Sequence, residues 1–203
     1  MKTYFLLLLS LALGLVSCQN NEKKTVATAT ADTLKTERNP SQTEANNFNL
    51  DEVPVTTQDV GKFPYLTVPE GYRHADSLKK TLEEKYFFYN DSLVKKISGQ
   101  YFHTIVFSTK DAFEDTYLVN AYQKQIEKLG GVAFYAGGLP SKASEWIDEQ
   151  KPTYVADMYD PRPYKYKQFL IRTPQENIWI ELCHGLNANQ IDLTVVREEL
   201  VAK

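Results

Sequence analysis

Tyr166-Lys167-Gln168-Phe169-Leu170-Ile171-Arg172-Thr173, Ile178-Trp179-Ile180-Glu181-Leu182-Cys183 and Gln190-Ile191-Asp192-Leu193-Thr194-Val195-Val196-Arg197 are three runs rich in β-branched and aromatic residues. Turn formers separate them: Pro174-Gln175-Glu176, then Gly185-Leu186-Asn187-Ala188-Asn189. Short apolar runs with short connections read as an antiparallel meander of three strands at the C-terminal end. In the middle run Ile178, Ile180 and Leu182 alternate with Trp179, Glu181 and Cys183, as in a strand with two unlike faces.

Upstream, Leu118, Tyr122, Ile126 and Leu129 recur at intervals of a helical turn, with Asp111 as a capping residue and Gly130-Gly131 as the stop. Val132-Ala133-Phe134-Tyr135 then reads as a strand. A shorter helix over 141–149 places Ala143, Trp146 and Ile147 on one face. Tyr86-Phe87-Phe88-Tyr89, Asn90-Asp91 and Ser92-Leu93-Val94 predict a hairpin ended by Ser98-Gly99, and 101–108 predicts a further strand. Pro64 and Pro69 keep 59–72 extended. The order strands, helix, strand, helix, strands implies an α+β fold: an antiparallel sheet with one long helix, one short helix and a C-terminal β-meander.

The other end of the chain speaks of location. Leu15-Val16-Ser17-Cys18 follows an apolar stretch over 4–16 that is too short to span a bilayer, with Lys2 ahead of it. The tetrad resembles a bacterial lipobox. That resemblance implies a lipoprotein signal peptide over 1–17 and a diacylated or triacylated Cys18, anchored by about 0.8 kcal/mol per buried methylene. Gln19 in place of an aspartate favours the outer membrane by the same resemblance, with the periplasmic or surface side left open. Residues 18–50 hold Thr, Ala, Asn, Lys and Glu without period, and 19–47 no aromatic, so they read as a disordered tether. About 30 such residues span roughly 30 Å on average and near 100 Å at full extension. Residues 51–203 form a single domain.

The chain has 203 residues with a formal net charge of −3, so it offers no basic stripe for phosphates, and nucleic-acid binding is excluded as a reading. Cys18 and Cys183 are the only cysteines. With Cys18 acylated, packing rather than a disulfide must hold the core.

Several local motifs, namely Asp59-Val60-Gly61-Lys62-Phe63-Pro64-Tyr65, Val68-Pro69-Glu70-Gly71-Tyr72, Leu129-Gly130-Gly131-Val132 and 166–172 before Ile178-Trp179-Ile180, carry a family resemblance. The span from about Asp59 to Val196 resembles the accessory region ahead of the peptidoglycan-binding domain in some OmpA-family lipoproteins. The sequence contains nothing like that domain's Asn, Leu, Ser and Arg motif, so wall binding is not carried over. What the resemblance implies is an accessory envelope module with no catalytic residues to transfer.

Candidate chemistry is sparse. Cys183 and His184 are adjacent, and neighbours on a strand point to opposite faces. His103 and His184 with Glu181 or Asp192 would make a metal site only if the sheet brought both imidazoles to one face. No His-Glu-x-x-His, Cys-x-x-Cys or calcium loop occurs, and no Gly-x-Ser-x-Gly marks a hydrolase, so neither metal nor cofactor is expected. Tyr154, Tyr159, Arg162, Tyr164 and Tyr166 form the candidate binding surface, since tyrosine and arginine give contact area at low entropic cost. Rings covering a sheet edge are the competing explanation. The expectation is a membrane-anchored, non-catalytic binding or accessory module that meets an envelope protein or a cell-wall component. A glycan- or peptide-processing enzyme and a passive spacer are the alternatives.

Overall fold

Tyr72–Asn90 (β1) and Leu93–Ser108 (β2) are far longer than the short hairpin and separate strand expected from sequence. The computed structural model describes residues 48–90, 93–110, 112–150, 165–185 and 189–200. The remaining elements are Asp115–Lys128 (α1), Val132–Gly137 (β3), Ser141–Gln150 (α2), Lys165–Arg172 (β4), Glu176–His184 (β5) and Gln190–Glu199 (β6). All strands join one antiparallel sheet in the order β1-β2-β6-β5-β4-β3. The described elements fall within one compact unit, Ser41–Lys203.

The α+β assignment is therefore corrected. Strands of 19, 16, 6, 8, 9 and 10 residues outweigh helices of 14 and 10, and the chain is mainly β. The physical reason lies in 72–85, where Arg73, Lys79, Lys80, Glu83 and Glu84 interrupt any apolar alternation. Strand pairing there does not depend on apolar side chains, because β2 supplies the hydrogen-bond partners from Ser108 to Ile97.

Helix α1 forms where the apolar stripe predicts, burying Leu118, Val119, Tyr122 and Ile126. Its N-cap is Glu114, which makes no side-chain cap bond, so the start falls later than Asp111 suggested. Gly130, at φ +85°, ends it in a conformation that favours glycine, and the Gly131 N–H donates to Ile126 O at 2.9 Å. The stripe packs on one face of the sheet against Phe102, Val106, Phe169, Ile171, Ile178, Ile180, Leu182, Ile191, Leu193 and Val195. Val60, Phe63, Tyr65, Leu66 and Val68 extend that core. Tyr65 holds φ +68°, rare for an aromatic residue, while its hydroxyl donates to Glu176 Oε1 at 2.7 Å. Burial, with the Glu176 carboxylate beside it, pushes the Tyr65 phenol up.

The opposite face carries a second core of Phe87, Ile97, Tyr101, Leu170, Trp179 and Val196, with Val53 sealing it. The chain reaches this core at Phe48, whose ring stacks on Phe134 with centroids 4.8 Å apart. Arg172 Nη1 donates to the carbonyls of Leu50 (2.7 Å) and Val53 (3.1 Å), fastening the incoming segment across the sheet. The expected signal peptide over 1–17, Cys18 and the expected tether as far as residue 47 lie outside the described residues, while Phe48 and Leu50, also assigned to that tether, pack against the second core.

Candidate functional site

Four strands place one polar row on the second face. The register pairs Gln168 with Glu181, Glu181 with Thr194, and Thr194 with His103, crossing β4, β5, β6 and β2. Apolar Leu170, Trp179, Val196 and Tyr101 flank it on one side; Tyr166, Cys183, Asp192 and Ile105 flank it on the other. Alternation along each strand produces this pattern without further instruction, because residues two apart share a face.

Lys85 closes the row from above. Its ammonium lies 2.8 Å from Glu181 Oε1, with the two side chains 0% and 1% exposed. Gln168 donates to the other Glu181 oxygen and accepts the Phe88 N–H at 3.0 Å. At the far end His103 Nδ1 lies 3.2 Å from Thr194 Oγ1, and burial together with the nearby Lys85 charge lowers the imidazole to about 4. Burial pushes the Tyr101 phenol up to about 12 and also raises the Cys183 thiol, a group thereby kept from thiolate chemistry. The row is thus a fully buried charge pair with a part-buried imidazole at its end.

Sequence reasoning did not single out Lys85. The signal was present in Glu181, which shares a strand face with buried Trp179 and Cys183 and so requires a buried cation or donor.

His184 lies on the other face. Its Nδ1 is 3.1 Å from Asp115 Oδ2, while Asp115 Oδ1 accepts the Gly185 N–H at 3.0 Å, joining the end of β5 to the start of α1. His103 and His184 therefore do not share a face, and the two-imidazole metal arrangement is not formed. Among the described residues no group of three or more His, Cys, Asp or Glu could hold a metal ion.

The candidate binding residues fare unevenly. Tyr154, Tyr159, Arg162 and Tyr164 lie outside the described residues. Tyr166 is corrected: it is 0% exposed in β4, edge-on to Phe88 with centroids 5.2 Å apart, and its ring serves the core. Its position one residue into a strand with inward alternation is the cause. Trp146 and Ile147 belong to α2, and of that helix Ala143 is buried with Phe88 and Cys183.

One surface recess of about 280 Å³ opens between the start of β1 and the start of α1. Glu70, Tyr72, Lys110, Glu114 and Tyr117 line it, with Tyr72 and Tyr117 stacked at 6.0 Å. No helix among the described residues is long and apolar enough to cross a membrane. No family model matches the chain, and no curated protein matches it in sequence.

Proposed function

We propose that this protein is a lipid-anchored module of the bacterial cell envelope, held through acylated Cys18 and acting by binding rather than by catalysis. The observation that carries the reading is Leu15-Val16-Ser17-Cys18 behind the apolar stretch over 4–16. A mainly β domain fastened at Phe48 to a polar segment of about 30 residues suits a module that works at a distance from the lipid surface. Its membrane is the outer one by the resemblance in the signal region, and its partner is an envelope protein or a wall component. Tyr154, Tyr159, Arg162 and Tyr164 are the contact residues; Tyr166 is withdrawn from that set because it is buried.

Cross-linking in intact cells followed by affinity capture of the full chain tests this. The wild type should enrich a partner that a Tyr159→Ala, Arg162→Ala, Tyr164→Ala variant loses by tenfold or more while staying folded and membrane-bound. Equal capture by both proteins would remove those residues from the account, and no capture by either would remove binding.

One arrangement favours the second reading, an enzyme on envelope glycan or peptide. The 3.1 Å contact of His184 Nδ1 with Asp115 is the orientation a general base requires. Hydrolysis of wall fragments that falls at least about a hundredfold in His184→Gln would support it. Unchanged turnover, or none in the wild type, would leave the pair as the link between β5 and α1.

A further inference from the structure

The β1–β2 hairpin has two halves with different loyalties. From Tyr72 to Lys80 and from Gln100 to Phe107 it belongs to the sheet, since β2 pairs with β6 over Gln100–Arg197 to Phe107–Gln190. Beyond Gln100 the β6 ladder stops. Residues 83–90 and 93–99 then pair only with each other, so they form a two-stranded ribbon. A register shift between Lys80 and Glu83 marks the change in β1. Gly99 marks it in β2, where a Cβ would overlap the Arg197 carbonyl. Bulge and glycine on adjacent strands at one level are what a sharp bend in a hairpin requires.

The bent ribbon lies over the second face of its own sheet. Lys85 reaches Glu181 of β5, and the Phe88 N–H reaches Gln168 of β4, although β2, β6 and β5 separate β1 from β4 in the sheet. Phe87 sits 5.4 Å from Trp179, and Phe88 packs with Tyr166 and Cys183. It is held there by packing of Phe87, Phe88 and Ile97, by the Lys85 ion pair and by the Phe88 N–H, whereas a backbone ladder joins β4, β5 and β6 beneath it. An ion pair buried at such a contact adds little net stability but specifies one docking position, because any other leaves a charge unpaired in the core.

We propose that residues 83–90 and 93–99 form a hinged flap, bending at Gly99 and the Lys80/Glu83 bulge and latched by Lys85 on Glu181, which opens as a unit while the rest of the sheet and α1 stay folded. Cys183 reports the opening. It is 1% exposed beneath the flap and is the only thiol once Cys18 is replaced. Ile180, three residues earlier on β5 and on the opposite face in the core that holds α1, supplies the control.

The test labels thiols in the full chain below its unfolding transition, in two proteins: Cys18→Ser, and Cys18→Ser with Cys183→Ala and Ile180→Cys. The flap predicts that Cys183 labels at least about tenfold faster than the Ile180→Cys probe, with a weaker denaturant dependence. Lys85→Met should widen that ratio. Hydrogen exchange on the wild type needs no substitution and should show 83–90 and 93–99 exchanging well ahead of β5 and β6. Equal rates and equal denaturant dependence for the two probes, or exchange of 83–90 and 93–99 together with β5 and β6, would overturn the flap.

Discussion

Lys85 and Glu181 are opposite charges with essentially no access to water, so deleting one strands the other in the core. Glu181→Leu or Lys85→Met alone should cost about 3–5 kcal/mol in denaturant unfolding. The double variant should cost much less than the sum of the two, since neither charge then remains. Additive losses would show that the two side chains do not act as a pair. His103 makes a separate statement through pH. Its folded value near 4 lies below the ordinary 6.5, so the unfolded chain binds the proton first as pH falls. Stability is complete above about 6.5, declines through the window from 6.5 to 4, and the loss from this group ends near 3 kcal/mol at most. His103→Gln keeps a polar partner for Thr194 and should flatten the decline between pH 6.5 and 5; an unchanged slope would place the titration elsewhere.

Elements differ in how openly the sequence declares them. The runs at β4, β5 and β6 are legible because both of their faces are buried, which leaves dense apolar stretches bounded by turn formers. The stripe of α1 is legible for the same reason, burial on one side of a cylinder. The first half of β1 is not. Only Tyr72 is buried there, His74 is half-buried beside Tyr122 and Phe102, and Asp76 to Lys79 are exposed, so no apolar alternation appears and the hydrogen bonds come from a partner strand that no local pattern announces. Gly99 misleads in the same way, reading as the end of a strand although it marks a bend within one. Two substitutions separate these cases. Ile126→Ala removes a fully buried side chain from the α1 contact and should cost about 2–5 kcal/mol. Gly99→Ala adds one carbon against the backbone of Arg197, which cannot swing aside, and should cost about 1–3 kcal/mol, a penalty absent from any helix or loop explanation of that glycine. The polar row was only half legible: Glu181 shows its need for a partner, while Lys85 becomes that partner only because the ribbon folds over.

At the scale of the whole molecule, a mainly β body with two cores, one on each face of a six-stranded sheet, is joined to the sequence ahead of it through Phe48, Leu50 and Val53. The proposed envelope role turns on what holds the other end. Two or three acyl chains at about 0.8 kcal/mol per buried methylene give durable attachment, whereas one chain is marginal and none leaves the body free. Mass spectrometry of the N-terminal peptide of protein isolated from its native membrane tests this most directly. The account predicts a mature chain that begins at Cys18 and carries a diacylglyceryl group, lost to the soluble fraction in Cys18→Ala. An unmodified thiol at Cys18 in a soluble protein would contradict it.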